Sequence, residues 1–176
     1  MDNAWGGLRA QLARRRVGLG FVTAVIAVIV ARPTWTSWTL GLAVACAGEA
    51  IRVWAAGHID KGREVTTSGP YRWMKHPLYV GSSVMAAGVM LAARSPALAV
   101  VATAYMVATI AAAVTSEEAH LRQKFGDAYD RYAGADGATA ARAFSFERAL
   151  RNREYRAITG LFGGFLILAL KVAFNL

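Results

Sequence analysis

The chain has 176 residues, of which 56% are hydrophobic and 18% are charged, and its formal net charge at pH 7 is +9. Ordinary soluble domains are about 45–50% apolar and about 25% charged. The composition therefore excludes a disordered, collagen-like or disulfide-stapled protein, and the length suits a single domain over residues 1–176.

The apolar residues are collected into five segments: residues 17–31, 33–48 with an apolar pattern continuing to Ala56, 77–93, 95–116 and 157–170. A transmembrane helix needs about 20 mostly apolar residues, with a range of about 17–25. The third and fourth segments meet this length directly, and Arg or Lys side chains extend the usable length of the others. The sequence predicts an all-α, polytopic transmembrane helical bundle of about five spans, the last at about 157–174.

The charges are distributed unequally between the two sides of this predicted bundle. With the N-terminus in the cytoplasm, 17 of the 20 Lys and Arg residues and all 11 Asp and Glu residues lie inside. Only Arg32, Arg94 and Lys171 lie outside, which is a strong positive-inside signal. We therefore expect an integral protein of a bacterial inner (cell) membrane, with its active site facing the cytoplasm. The net charge then needs no nucleic acid partner.

Cys46 is the only cysteine, so an intrachain disulfide is impossible and a cysteine-based metal site is implausible. It lies in the middle of a span, where we expect inert packing, and no metal site is predicted. Arg32-Pro33 follows the first apolar segment where a small-residue cleavage pattern would stand. We therefore interpret this segment as an uncleaved span.

Small residues in two spans allow alternative interpretations. Gly81 and Gly88 belong to a run in the third span that either leaves room for a molecule entering from the bilayer or permits close helix packing. Gly160 and Gly164 in the last span form a G-x-x-x-G pattern. For this pattern we expect packing within the chain rather than a dimer contact.

The first information-rich stretch is residues 57–81, GHIDKGREVTTSGPYRWMKHPLYVG. Gly69-Pro70 is typical of a turn, and Pro77 suits the first turn of the third span. His76 and several tyrosines and cations thus lie beside a helix start, whose free N–H groups and dipole attract anions. For each residue alone, an interfacial loop within an aromatic belt remains an alternative.

The second stretch is residues 115–132, TSEEAHLRQKFGDAYDRY. Glu118 and Arg122 have i,i+4 spacing, which predicts a surface ion pair. Glu117 has no cation four residues on, and a carboxylate near the membrane is costly unless partnered. We therefore regard Glu117 as a candidate for accepting hydrogen bonds from sugar hydroxyls. Glu49 and Arg52, spaced i,i+3 in the second span, are expected to pair with each other.

The motifs of both stretches together carry a family resemblance. In order, they are Ser68-Gly69-Pro70-Tyr71, then Lys75-His76-Pro77-Leu78-Tyr79-Val80-Gly81, then Glu117-Glu118, then Phe125-Gly126-Asp127-Ala128-Tyr129-Asp130-Arg131-Tyr132. With them the chain resembles the isoprenylcysteine carboxyl methyltransferase family and the similar phospholipid N-methyltransferases, over a core of about residues 57–132.

The resemblance implies an integral-membrane methyltransferase that uses S-adenosylmethionine at the cytoplasmic face and acts on a lipophilic small-molecule acceptor, an isoprenoid or lipid. It also implies the residues of the cofactor site. Backbone groups around Arg63, Glu64, Val65 and Thr66 would cradle the cofactor, and Tyr71, His76, Pro77, Leu78 and Tyr79 would surround its methionine and sulfonium part. Glu117 would hold the ribose.

The acceptor half of the site departs from the pattern of the carboxyl methyltransferases. They have an arginine four residues before the cofactor-binding glutamate, where this chain has Ala113. Arg52, Arg72 or Arg122 are possible substitutes, so the sequence assigns no catalytic residue. Besides O-methylation, three alternatives stay open: phospholipid N-methylation, an NADPH-dependent reductase like the sterol reductases, and a non-catalytic protein of the same fold. The oligomeric state is not predicted.

Overall fold

The computed structural model describes residues 25–60, 63–133 and 142–175, and every regular element in these ranges is helical. This confirms the all-α prediction. Residues 25–30 are helical, and the further elements follow in chain order: α1 Trp35–Ala56, a 3-10 turn Gly69–Arg72, α2 Pro77–Ala93, α3 Pro96–Phe125, α4 Asp127–Ala133, α5 Phe146–Arg151 and α6 Tyr155–Phe174.

Local capping explains where the long helices begin. The Thr34 hydroxyl accepts a hydrogen bond from the Ser37 N–H (3.2 Å), and the Ser37 hydroxyl accepts one from the Thr34 N–H (2.9 Å), so α1 starts with a reciprocal capping box. Pro77 lies in the first turn of α2, as predicted. Ser95 caps α3 by accepting a hydrogen bond from the Leu98 N–H.

Within the described ranges, three helices, α1, α3 and α6, are long and apolar enough to cross a membrane. The apolar helix α2 has 17 residues and a length of about 25 Å, slightly less than a bilayer core of about 30 Å. Most of the first predicted span, residues 17–31, lies outside the described residues. The count of five spans and the orientation of the N-terminus therefore stay predictions.

Helices α1 and α2 are antiparallel neighbours whose backbones touch. A Cβ atom added to Gly41 would lie 2.5 Å from the Gly88 carbonyl oxygen and 2.6 Å from the Ala92 Cβ. A Cβ atom on Gly81 would lie 2.7 Å from the Gly48 carbonyl oxygen. Of the two interpretations of Gly81 and Gly88, close helix packing is therefore the one that the structure supports.

The described residues supply no packing partner for Gly160 and Gly164, so packing of this motif within the chain stays a prediction. A Cβ atom at either position would meet nothing within 4 Å, so neither glycine packs against the described part of the chain. Helix α6 is buried instead through Leu161, Phe165 and Leu168, whose i, i+4, i+7 spacing places them on one face. The buried face of α6 thus consists of bulky apolar side chains, which bury more apolar surface than glycines do.

The loops fasten both ends of the bundle. At one end the Arg32 N–H donates to the Ala93 carbonyl (2.9 Å), and the Lys171 ammonium donates to the carbonyls of Val28 and Ala31 (2.9 Å each). Arg32 and Lys171, which the charge pattern assigns to the same side, therefore do lie at one end.

At the other end, residues 142–154 fold back over the end of α1. The Asn152 amide donates to the carbonyls of Ala56 (2.9 Å) and Ile59 (3.1 Å), and the Ser145 N–H donates to the Gly57 carbonyl (3.1 Å). These donors satisfy carbonyls that the end of a helix leaves unpaired.

Candidate functional site

The two sequence motifs meet through His76 and Glu118. His76 is the residue before α2, where the following Pro77 disfavours a helical backbone, and its φ is −130°. Its Nε2 lies 3.3 Å from Glu118 Oε1 on α3. The predicted Glu118–Arg122 pair is present, with Oε2 and Nη1 4.0 Å apart, but the contact to His76 was not predicted. It joins residues 42 positions apart, which i,i+4 reasoning cannot detect.

Three tyrosines join helix α4 to the 3-10 turn. The Tyr132 hydroxyl donates to the Tyr71 carbonyl (3.0 Å), and the Tyr129 ring is 6.2 Å from the Tyr132 ring. Gly126, with φ +48°, supplies the sharp bend between α3 and α4 that such a return needs. The second motif therefore folds back onto the first.

Burial controls the ionisation of these phenols. It raises the pKa of Tyr71, and the negative charge of Glu117 raises that pKa further. Burial also raises the pKa of Tyr132 to about 12, with Tyr129 adding to the effect. Both phenols are therefore protonated at neutral pH. The buried Tyr71 hydroxyl has no hydrogen-bond partner among the described residues, so its donor is available to a ligand.

Glu117 completes the cluster. It is half-buried, and within the described ranges its carboxylate forms no ion pair. The Tyr79 ring lies 5.8 Å from the His76 ring, and Pro77 behind them is fully buried. Of the predicted cofactor residues, Tyr71, His76, Pro77, Tyr79 and Glu117 thus lie in one region. The half-buried Leu78 belongs to the first turn of α2, where its carbonyl accepts a hydrogen bond from Ser82.

The predicted residues 63–66 make different contacts. The exposed Arg63 lies 3.8 Å from Asp60, and Glu64 forms an ion pair with Arg142 at 2.6 Å. Val65 is half-buried, and Thr66 is buried with no hydrogen-bond partner for its hydroxyl among the described residues. The side chains of Arg63 and Glu64 therefore face residues 60 and 142 rather than the His76 cluster.

A buried histidine supports the turn between these two groups. Gly69 has φ +58°, and a Cβ atom there would lie 2.6 Å from the His58 ring. His58 Nδ1 lies 2.9 Å from the Trp54 carbonyl oxygen, so the end of α1 holds the ring in place. The sequence reasoning missed this residue, although the left-handed Gly69 is a signal that something packs closely against the turn.

Arg52, Arg72 and Arg122, the possible substitutes for the family arginine that Ala113 replaces, differ in their partners. Arg52 forms the predicted pair with Glu49 (3.5 Å) and also pairs with Glu154 (2.5 Å) and donates to the Ser82 hydroxyl. Its charge is therefore already matched. Arg122 lies between Glu118 and Asp130, and Arg72 is exposed.

The fold and the site define a helical membrane protein with a polar cluster between the start of α2 and the last turns of α3. A family model for phospholipid methyltransferases matches residues 19–128. The chain therefore belongs to the phospholipid methyltransferase family, which is a family of membrane methyltransferases, and the predicted resemblance is confirmed.

Curated relatives agree with this family. The chain is 32% identical over 111 residues to a probable protein-S-isoprenylcysteine O-methyltransferase of Oryza sativa subsp. indica, covering 56% of this chain and 58% of that protein. It is 31% identical over 141 residues to the nickel-cobalt-cadmium resistance protein NccN of Alcaligenes xylosoxydans xylosoxydans, covering 72% of this chain and 64% of that protein. The chain thus spans about two thirds or less of these relatives. No solved structure matches it.

Proposed function

We propose that this protein transfers a methyl group from S-adenosylmethionine to a lipophilic acceptor, an isoprenoid or lipid, at the cytoplasmic face of a bacterial inner membrane. The observation that carries the proposal is the His76–Glu118 contact, which brings the two motifs of the family resemblance together. The membrane methyltransferase family and the relative named as an O-methyltransferase support it.

The residues of the cluster suit this cofactor. Glu117 is a carboxylate without an ion pair in the described ranges, the kind of group that accepts hydrogen bonds from ribose hydroxyls. The buried hydroxyls of Tyr71 and Thr66 have no partner there and would donate to polar atoms of the cofactor. The rings of Tyr71 and Tyr79 would lie beside the sulfonium, whose positive charge is attracted to aromatic faces. Backbone groups of residues 63–66 would complete the cradle.

The bound cofactor would supply an electrophilic methyl group that needs no acid to activate it. The protein's own part is then alignment and exclusion of water, which account for much of the rate in such displacements. The 3-10 turn and the start of α2 are fixed by the Tyr132–Tyr71 hydrogen bond and by the buried Pro77. They hold the aromatic groups without further ordering when the cofactor binds.

The acceptor is the less defined half of the reaction. Esterification of a prenylcysteine carboxylate is the activity of the family that the chain resembles, but Ala113 stands where that family has its anchoring arginine. Phospholipid N-methylation agrees with the printed name of the matching family. Among the described residues, no three His, Cys, Asp or Glu side chains are grouped to hold a metal ion.

Binding of S-adenosylmethionine to the purified protein tests the proposal. Calorimetry should show one site per chain, and Glu117→Gln should weaken binding about tenfold or more, because a hydrogen bond to a charged group contributes about 1.5–3 kcal/mol. The matched control is Glu147→Gln, which changes an exposed carboxylate on α5. NADPH in the same titration tests the reductase alternative. Tight NADPH binding without S-adenosylmethionine binding would overturn the proposal.

A further inference from the structure

A groove between α1 and α6 lies apart from the cluster around His76. Its volume is about 430 Å³, and it is lined by apolar side chains of α1 and α6 and by Phe144. Trp54 and Phe162 on its walls are 38% and 54% exposed, respectively. Both helices are long and apolar enough to span a membrane, so the groove lies between two candidate membrane-spanning helices.

Among the described residues that line this groove, Glu49 is the one that is charged. Its side chain is only 8% exposed, and neither carboxylate oxygen has a hydrogen-bond partner among the described residues. Burying a carboxylate without such partners costs several kcal/mol. An ionisable residue within a membrane span marks a functional site more often than a structural one.

The neighbouring arginine does not satisfy Glu49. Arg52 Nε lies 3.5 Å from Glu49 Oε2, while its Nη2 is 2.5 Å from Glu154 Oε1 and its Nη1 donates to the Ser82 hydroxyl. One guanidinium therefore faces two carboxylates, and the group carries a formal charge of −1. Such a group attracts a hydrogen-bond donor or a cation and repels a second carboxylate.

The charged group also adjoins the proposed cofactor site. The negative charges of Glu154 and of Glu117 both act on the buried Tyr71 phenol and add to the burial that raises its pKa. Through Ser82, Arg52 also contacts α2 one turn after the proposed cofactor residues. Glu49 is thus linked to the Tyr71 side of the cluster around His76 through Arg52 and Glu154.

We propose that this groove binds the methyl acceptor: a single-chain amphiphile whose apolar chain lies between α1 and α6 and whose N–H or O–H head donates a hydrogen bond to Glu49. This inference rests on the proposed function. It names the substrate class by its head, an amine or a hydroxyl, and excludes a carboxylate. The apolar walls match the apolar chain of the ligand, and the Glu49 carboxylate, which accepts no hydrogen bond from the described residues, matches the N–H or O–H donor.

Photolabelling in nanodiscs without S-adenosylmethionine tests the groove separately from the proposed function. The probe is a pentadecyl amine that carries a diazirine on its chain, and the competitors are pentadecylamine, pentadecanol and pentadecanoic acid. We expect labelled peptides from α1 and α6, displaced about tenfold more effectively by the amine or the alcohol than by the acid. Glu49→Gln should abolish this preference, and Glu147→Gln should leave it intact.

Each other outcome contradicts the inference. Label on other helices only, equal competition by the acid, or a preference that survives Glu49→Gln would overturn it, while S-adenosylmethionine binding could still be present. Thermal unfolding shows whether Glu49→Gln is folded. If it is not, Val53→Trp fills the groove and leaves Glu49 in place, and it should abolish the label. Undiminished labelling of that variant would refute the groove as the binding site.

Discussion

The contact between α1 and α2 gives a sharp prediction for Gly48→Ala. A Cβ atom at Gly48 would lie 2.6 Å from the Gly81 carbonyl oxygen and 2.9 Å from the Met85 Cα, and both are backbone atoms. Neither can rotate away, so the two helices must separate. At Gly160 on α6 the same change adds a Cβ atom that meets no described residue within 4 Å. Gly160→Ala is therefore the matched control.

The size of the effect follows from these distances. Restoring an ordinary separation at Gly81 moves the helices apart by about 0.8 Å, a gap that forfeits about a quarter to a half of the attraction of each contact. Overpacking of this kind costs about 1–3 kcal/mol. Alanine gains about 0.5–1 kcal/mol over glycine in a helix, which offsets part of the cost. We expect Gly48→Ala to destabilise by about 1–2 kcal/mol and Gly160→Ala to be neutral or stabilising.

Denaturant unfolding of the purified protein in detergent, followed by tryptophan fluorescence, measures both variants. The difference between them isolates the steric cost, because the helix propensity change is the same in each. S-adenosylmethionine binding should also weaken in Gly48→Ala, since α2 carries Pro77 and Tyr79. Equal stability of the two variants would refute the close backbone contact.

Two further predictions concern fastening contacts. Tyr132→Phe should cost about 0.5–1.5 kcal/mol by removing the hydrogen bond to the Tyr71 carbonyl. Burial raises the pKa of Tyr132 to about 12, so the stability that this phenol contributes is present below pH 10 and is lost as the pH rises towards 12. The unfolding free energy of Tyr132→Phe should therefore fall less steeply between pH 10 and 12 than that of the unchanged protein. An unchanged slope would contradict this prediction. Lys171→Met should lower the unfolding free energy by about 1.5–3 kcal/mol, because it removes hydrogen bonds to the Val28 and Ala31 carbonyls. Lys124 is exposed, so Lys124→Met should have little effect and serves as the control. Similar losses in both variants would be evidence against the Lys171 contacts.

Much of the helical architecture is predictable because apolar runs and turn residues are local signals. Pro77 and Ala93 bound both the predicted third segment and α2, and the fourth segment lies within α3 except for Ser95, which caps it. The bounds differ where polar residues continue a helix. Glu117 and Glu118 follow the apolar run but belong to α3, which continues unbroken to Phe125. Hydropathy identifies the residues that can lie in a bilayer, but it does not show where the helix ends.

The pairings of the site are less predictable for a physical reason. The pairs Glu49–Arg52 and Glu118–Arg122 are predictable from the sequence, because a helix brings i,i+3 and i,i+4 side chains together, and the structure contains both. Glu154–Arg52 depends on how α6 packs on α1, which a single sequence does not encode at any fixed spacing. Gly160 illustrates the same limit of local signals, because its G-x-x-x-G spacing does not specify a partner and the described residues supply none.

Helix α3 has 30 residues, and Leu98 near its start is its one buried position among them. Glu117 lies 19 residues further on, about 29 Å along the axis. A tilt of only about 5° about Leu98 therefore displaces Glu117 by about 2.5 Å, close to the length of a hydrogen bond. The position of Glu117 is therefore sensitive to the tilt of α3, and the His76–Glu118 contact, together with the Tyr132–Tyr71 hydrogen bond, holds the far part of the helix in place.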